Sequence, residues 1–186
     1  MKTRQFSNEE MSQYVARFNA LEPLEAMKVN DIPLSARDLI WSRKLLPVVS
    51  PRNGNTPFGT APIRDQDFSI TYAVCPPGTG PSLHAHHKTT ETFTCLQGRF
   101  EFRWGDKGED SLVLDRLDTF AVPPGVCRAF RNIGQEEGIL QVLITGGVHD
   151  MQDIAFPPQT ADELNAVQPG LSEFFGEIGL KFDAGV

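Results

Sequence analysis

The chain has 186 residues, 40% of them hydrophobic and 22% charged, with a formal net charge of −7. That length suits one domain with elaborations and a substantial core. The acidic balance, with no clustered Lys or Arg, argues against a phosphate-gripping surface, so no nucleic-acid partner is expected. Cys75, Cys95 and Cys127 make an odd set with no CxxC pair, which fits free thiols in a reducing cytoplasm. No apolar run has the length to cross a bilayer, so no membrane partner is expected. The opening MKTRQFSNEEMSQ lacks the apolar core of a secretory signal.

In chain order, Ser7 and Glu10 stand at capping-box spacing ahead of an apolar stripe of Met11, Tyr14, Val15, Phe18 and Leu21. This predicts an N-terminal helix that ends at Pro23 and docks on the main body or on a partner subunit. A short helix from Ala36 and a strand through Leu45 to Val49 follow. The segment SPRNGNTPFGTAPIRD, rich in Pro, Gly and Asn, reads as loop. Beyond Phe68 come seven short strand candidates: FSITYAV, ETFTCLQ, RFEFRW, SLVLD, TFAVP, VCRAFRN and ILQVLIT. Phe100, Phe102 and Trp104 alternate with Glu101 and Arg103, the period of a strand with one buried face. Short strands with no helices between them favour a sandwich or barrel. After Gly147, Thr160 and Glu163 offer a second capping box, and LSEFFGEIGL reads as a terminal amphipathic helix.

Chemistry concentrates in GTGPSLHAHHKTTETFTCLQG, residues 78–98. On a strand, His84 and His86 point one way, and His87 faces the surface. A turn over residues 87–90 then brings in Glu91, whose same-face neighbours are Phe93 and Cys95. Two imidazoles and a carboxylate on a rigid sheet form a facial triad suited to a divalent metal with open positions. Fe(II) is the first choice, with Mn, Ni or Zn as other candidates. His149 is a remote candidate for a further ligand. Cys95 reads as a small buried hydrophobe, and Phe93, Phe102 and Phe130 as core and cavity wall.

Gly78, His84, His86, Glu91 and Gly98 match position for position the first motif of the cupin superfamily, G-x5-H-x-H-x4-E-x6-G, and the chain resembles that family. The second cupin motif, G-x5-P-x-G-x2-H-x3-N, is met by Pro123, Gly125 and Asn132. Leu117 stands at its first glycine and Arg128 at its histidine, usually the fourth metal ligand in the family. The resemblance implies an all-β fold, a double-stranded β-helix or jelly-roll cupin barrel with short helical N- and C-terminal extensions. It divides the chain into an extension over 1–64, the barrel over 65–147 and a C-terminal extension over 148–186, and it implies a homodimer.

Arg128 bears on every functional reading. Its guanidinium can anchor an acidic ligand through paired hydrogen bonds. Alternatively it pairs with Glu91 in place of a metal, or it points to solvent. The leading expectation is a metal-dependent, dioxygenase-like enzyme acting on a small anionic or aromatic molecule, held by Arg128, Phe93, Cys95, Phe102 and Phe130. A non-catalytic small-molecule-binding cupin with a degenerate, metal-free site is the alternative, and a sugar isomerase or epimerase a third.

Overall fold

The computed structural model describes residues 3–24, 31–51, 61–146 and 151–186. In chain order its elements are α1 (Asn8–Ser12), α2 (Leu34–Ile40), β1 (Lys44–Pro51), β2 (Ile63–Gln66), β3 (Ser69–Cys75), β4 (Ala85–His86), β5 (Thr90–Gln97) and β6 (Phe100–Trp104). Then come β7 (Asp110–Leu114), β8 (Thr119–Val122), β9 (Arg128–Asn132), β10 (Gly138–Thr145), β11 (Ile154–Ala155), α3 (Pro158–Val167) and α4 (Leu171–Glu177). Each of the seven strand candidates becomes a strand, with ends shifted by at most two residues.

One sheet has six strands in the order β2-β1-β3-β10-β5-β8, and a second has three in the order β7-β6-β9. The crossovers this order requires are those of a jelly roll. Apolar residues recur at every second position, so each strand turns one face inward. From the large sheet come Ala73, Cys75, Phe93, Cys95, Leu140 and Val142, and from the small one Phe100, Phe102, Leu114 and Phe130; all are buried together. The Phe93 and Phe102 rings lie 4.9 Å apart, and each touches Phe130 at 5.4 and 5.5 Å.

A second core lies outside the sandwich. Leu24, Ile32, Ala36, Ile40 and Trp41 pack against Met151, Phe156, Leu164, Leu171, Phe175 and Leu180. Residues from before and after the sheets therefore share one apolar cap, in which Trp41 meets Phe175 edge-on at 5.5 Å.

Two helix expectations need correction. The capping box at Ser7 and Glu10 forms, but α1 lasts only five residues and buries none of them. Tyr14 and Met11 remain 51% and 49% exposed, while Phe18 meets Tyr72 of the sheet at 5.9 Å. A short helix without a docked face is marginal in water, which is why the cap does not propagate a longer one. In α3 the start is Pro158, two residues before Thr160, and Thr160 caps nothing. Proline presets φ for a first helical position and so moves the boundary forward. The loop expected before β2 falls largely on residues 52–60, outside the described residues; its last part forms β2, parallel to β1.

The second-motif residues have visible structural work. Asn132, fully buried, donates to the carbonyls of Cys75 at 2.8 Å and Glu136 at 2.7 Å, and its Oδ1 accepts from Gly134 N at 2.8 Å. Leu117 adopts φ 74°, the left-handed conformation that glycine takes without steric cost. The turn is therefore kept although the glycine is not. Asn132→Ala, which orphans three backbone groups, the buried Cys75 carbonyl among them, is expected to lower stability by about 2–3 kcal/mol. Chemical denaturation measures it, and a loss below about 0.5 kcal/mol contradicts this role.

Candidate metal centre

The site begins with strand alternation in β9. Phe130 and Asn132 point into the sandwich, so Arg128, two and four residues earlier, must also point inward. It is 1% exposed. Its backbone pairs with that of His84 through N–H···O bonds of 2.9 and 3.0 Å, which brings the two-histidine segment alongside. Residues 87–89 turn the chain, and β5 delivers Glu91 on the same inward face as Phe93 and Cys95.

His84, His86 and Glu91 are buried, and one ligand atom from each lies within 4.8 Å of the others. His87 is exposed. His84 Nδ1 lies 2.8 Å from the Ser82 carbonyl oxygen. A carbonyl only accepts, so Nδ1 carries the proton and Nε2 keeps its lone pair. Burial, and then the neighbouring Arg128 guanidinium and the His86 ring, hold the His84 pKa well below its usual value. The ring is therefore neutral at neutral pH, the form that binds metal. The plane of Phe156 stacks on it, 5.2 Å between centroids and 25° apart in tilt.

His86 faces a different neighbour. Its Nδ1 lies 3.0 Å from Thr89 Oγ1, and Thr89 donates to Asp153 Oδ2 at 2.6 Å. Asp153 Oδ1 accepts from the Lys88 backbone at 2.7 Å. Burial pushes the Asp153 carboxyl up, but the hydrogen bonds from His86, Thr89 and Lys88 outweigh it and bring it down to about 2.

Arg128 donates from one guanidinium nitrogen to the His84 carbonyl at 2.7 Å and from the other to Glu91 Oε2, with which it forms a buried ion pair. Its Nε has no partner among the described residues. The donor set fits a divalent ion: two imidazoles, that of His84 neutral, and one carboxylate oxygen left beside the arginine. Arg128 and a cation held by the cluster would repel one another, and the Glu91 carboxylate between them offsets this in part.

A cavity of about 160 Å³ opens onto this cluster. His84, His86, Glu91 and Asp153 line it, together with apolar side chains that include Trp41, Ile40, Phe130, Val142 and Phe156. Among the described residues, no lysine or arginine lines it. Of the residues expected to hold a ligand, Phe130 is on this wall. Phe93, Cys95 and Phe102 sit within the core between the sheets, and Arg128 lies behind Glu91. His149 falls outside the described residues.

Thr89, Asp153 and the cap residues Trp41 and Phe156 have no counterpart among the sequence candidates. Thr89 lies three residues after His86, a spacing with no special meaning unless the turn is known. Asp153 reaches the site only because β11 pairs with β4.

Residues 71–144 match the cupin domain family Cupin_2. No curated protein sequence matches the chain. Among solved structures, the chain resembles one reported as crystal structures of the DMSP lyases RdDddP and RnDddQII, with TM-score 0.48 and 20% identity over 60% of this chain and 51% of that one. It also resembles the Schizosaccharomyces pombe Cnp3 cupin domain, with TM-score 0.42 and 18% identity over 55% of this chain and 64% of that one. A third is a sugar phosphate isomerase, described as putative, from Acidithiobacillus ferrooxidans, with TM-score 0.38 and 20% identity over 42% of this chain and 50% of that one. The chain thus spans between half and two thirds of the length of these structures.

The lowered His84 pKa sets a stability dependence on pH. Above about pH 6.5 both folded and unfolded chains hold this imidazole neutral. As pH falls below that value the unfolded chain takes up a proton that the folded one refuses, so stability declines. The Tm of chelator-treated protein is expected to drop between pH 7 and pH 5.5, and to drop less in His84→Gln. An equal slope in both proteins contradicts the assignment.

Proposed function

Taking residues 71–144 as a cupin domain, we propose that the chain is a metal-dependent, dioxygenase-like enzyme acting on a small, mainly apolar organic molecule of about single-ring size. The observation that carries the reading is the convergence of His84, His86 and Glu91 at the wall of an apolar cavity. A divalent first-row ion, iron(II) by preference, would supply Lewis acidity and, for iron, a redox partner for dioxygen.

The chain's own groups do the rest. His84 and His86 present ring nitrogens, and Glu91 offers one carboxylate oxygen while Arg128 fixes its other one. The cap residues Trp41 and Phe156 and the sheet residue Val142 give the space beside the cluster an apolar wall. An apolar cavity of about 150 Å³ admits a benzene-sized molecule, which sets the size of the ligand. With Arg128 neutralised by Glu91 and no other cation among the described residues of the wall, an aromatic or aliphatic body suits the cavity better than a free anion or a polyhydroxylated sugar. Ser42 adds one polar handle. Its hydroxyl is buried on the cavity wall and has no hydrogen-bond partner among the described residues, although the Cys75 thiol lies nearby. A ligand oxygen there removes the cost of an unsatisfied hydroxyl.

The Glu91–Arg128 contact favours a second reading, a binding protein in which the ion pair stands in for the metal. Titration of chelator-treated protein with Fe(II) and Zn(II) under anaerobic conditions separates the two. One equivalent bound by the wild type, and none detected in His86→Ala, supports the enzyme, as does Fe(II)-dependent dioxygen uptake with single-ring phenols or short ketones. An absence of stoichiometric binding of either ion sinks it in favour of the binding protein.

A further inference from the structure

We propose that Thr89 and Asp153 form a positioning relay that sets the tautomer and orientation of His86, which makes the segment after the last sandwich strand part of the metal centre. The proposal rests on the metal-binding reading above and adds residues that lie outside its three ligands. Asp153 also lies outside the stretch that matches the cupin family.

The argument is one of counting protons. An ionised carboxylate accepts hydrogen bonds and cannot donate. The Thr89 hydroxyl has one hydrogen, and Asp153 Oδ2 at 2.6 Å claims it. Thr89 Oγ1 can therefore only accept from His86, 3.0 Å away. A His86 ring with one proton, the form that binds metal, must then carry it on Nδ1, which leaves the Nε2 lone pair for the cavity. The second contact has the same polarity, since Nδ1 lies 3.5 Å from Asp153 Oδ2. His84 reaches the same tautomer through the Ser82 carbonyl. For His84 the acceptor is backbone, which mutation cannot remove, whereas for His86 it is a side chain.

Asp153 is itself held from several sides. Its Oδ1 takes the Lys88 amide at 2.7 Å, and its own carbonyl accepts from His87 N at 3.0 Å. The adjoining β11 pairs Ile154 with His86 and Ala155 with Ala85. Asp153 and Thr89 are both almost fully buried. The relay thus has little freedom to reorient. Groups of this kind behind metal-binding histidines typically change metal affinity about 10–100-fold when removed.

Long-range ¹H–¹⁵N spectra of the imidazoles in metal-free protein read the tautomers directly, and Zn(II) titration reads affinity. In the wild type His86 is expected as the Nδ1–H tautomer. Thr89→Val should shift His86 towards Nε2–H while leaving His84 unchanged, and should weaken Zn(II) binding about 10–100-fold. Asp153→Asn should weaken it similarly, and Thr89→Ser, which keeps the hydroxyl, should restore both readouts. An Nε2–H His86 in the wild type overturns the relay without any variant, so misfolding of a mutant does not shield it. So does a Thr89→Val protein that keeps the Nδ1–H form and binds Zn(II) within twofold of the wild type. If no protein binds metal, the metal-binding reading fails while the tautomer spectra still decide the relay.

Discussion

The charge on Arg128 is the constraint around which the interior is arranged. Its side chain is almost wholly removed from water, at a position where strand alternation gives it no route to solvent. A charge there must be answered locally, and the Glu91 carboxylate and the His84 carbonyl answer it. Removing one partner of such a pair typically costs about 3–5 kcal/mol, because the other is left buried and uncompensated. Glu91 is thereby pinned at one oxygen, His84 is tied to β9 by backbone and side chain together, and the geometry of the cluster follows. The same positive charge helps keep the His84 ring neutral.

That arrangement alters what the two-histidine, one-carboxylate pattern can do. The pairing of Arg128 with Glu91 leaves three side chains, His84, His86 and Glu91, that could hold an ion. It also removes the cation from the list of groups that could grip a substrate anion, since its charge is already spent on Glu91. The cavity beside the cluster is correspondingly apolar. Its walls come from three sources: the inner face of the large sheet, Phe130 of the small sheet, and the cap built from both ends of the chain. The sheets hold the ligands, the cap closes the space, and Asp153 at the join of the two reaches back to His86.

Much of this was legible in the residues. Each of the seven strand candidates beyond Phe68 is a strand, whereas β2 falls in a stretch that reads as loop. The HxH spacing with Glu91 five residues on picks out three side chains whose ligand atoms lie within 4.8 Å of one another. Alternation through Phe130 and Asn132 also carries the information that Arg128 points inward, although a single strand cannot say what waits for it there. Other features depended on contacts distant in sequence. The Met11–Phe18 stripe has helical spacing, yet periodicity describes a face and not a partner, and most of that face stays exposed. Phe93 and Cys95 share the inward face of β5 with Glu91, and Phe102 faces inward from the small sheet, but all three pack in the core with Phe100 and not on the cavity wall. Asp153 gives no local signal, because its role arises from a two-residue pairing between β4 and β11. Leu117 shows the converse: a residue that departs from the family motif while the backbone keeps the conformation the motif needs.

The central claim is that a divalent ion and the Glu91–Arg128 pair share one site. A crystal structure of the Zn(II)-loaded protein, with anomalous data collected at the zinc edge, tests it most directly. The account predicts one anomalous peak bonded to Nε2 of His84, Nε2 of His86 and an oxygen of Glu91, with Arg128 still donating to the other Glu91 oxygen. A peak elsewhere, or Glu91 turned wholly to Arg128 with no ion between the histidines, would contradict it.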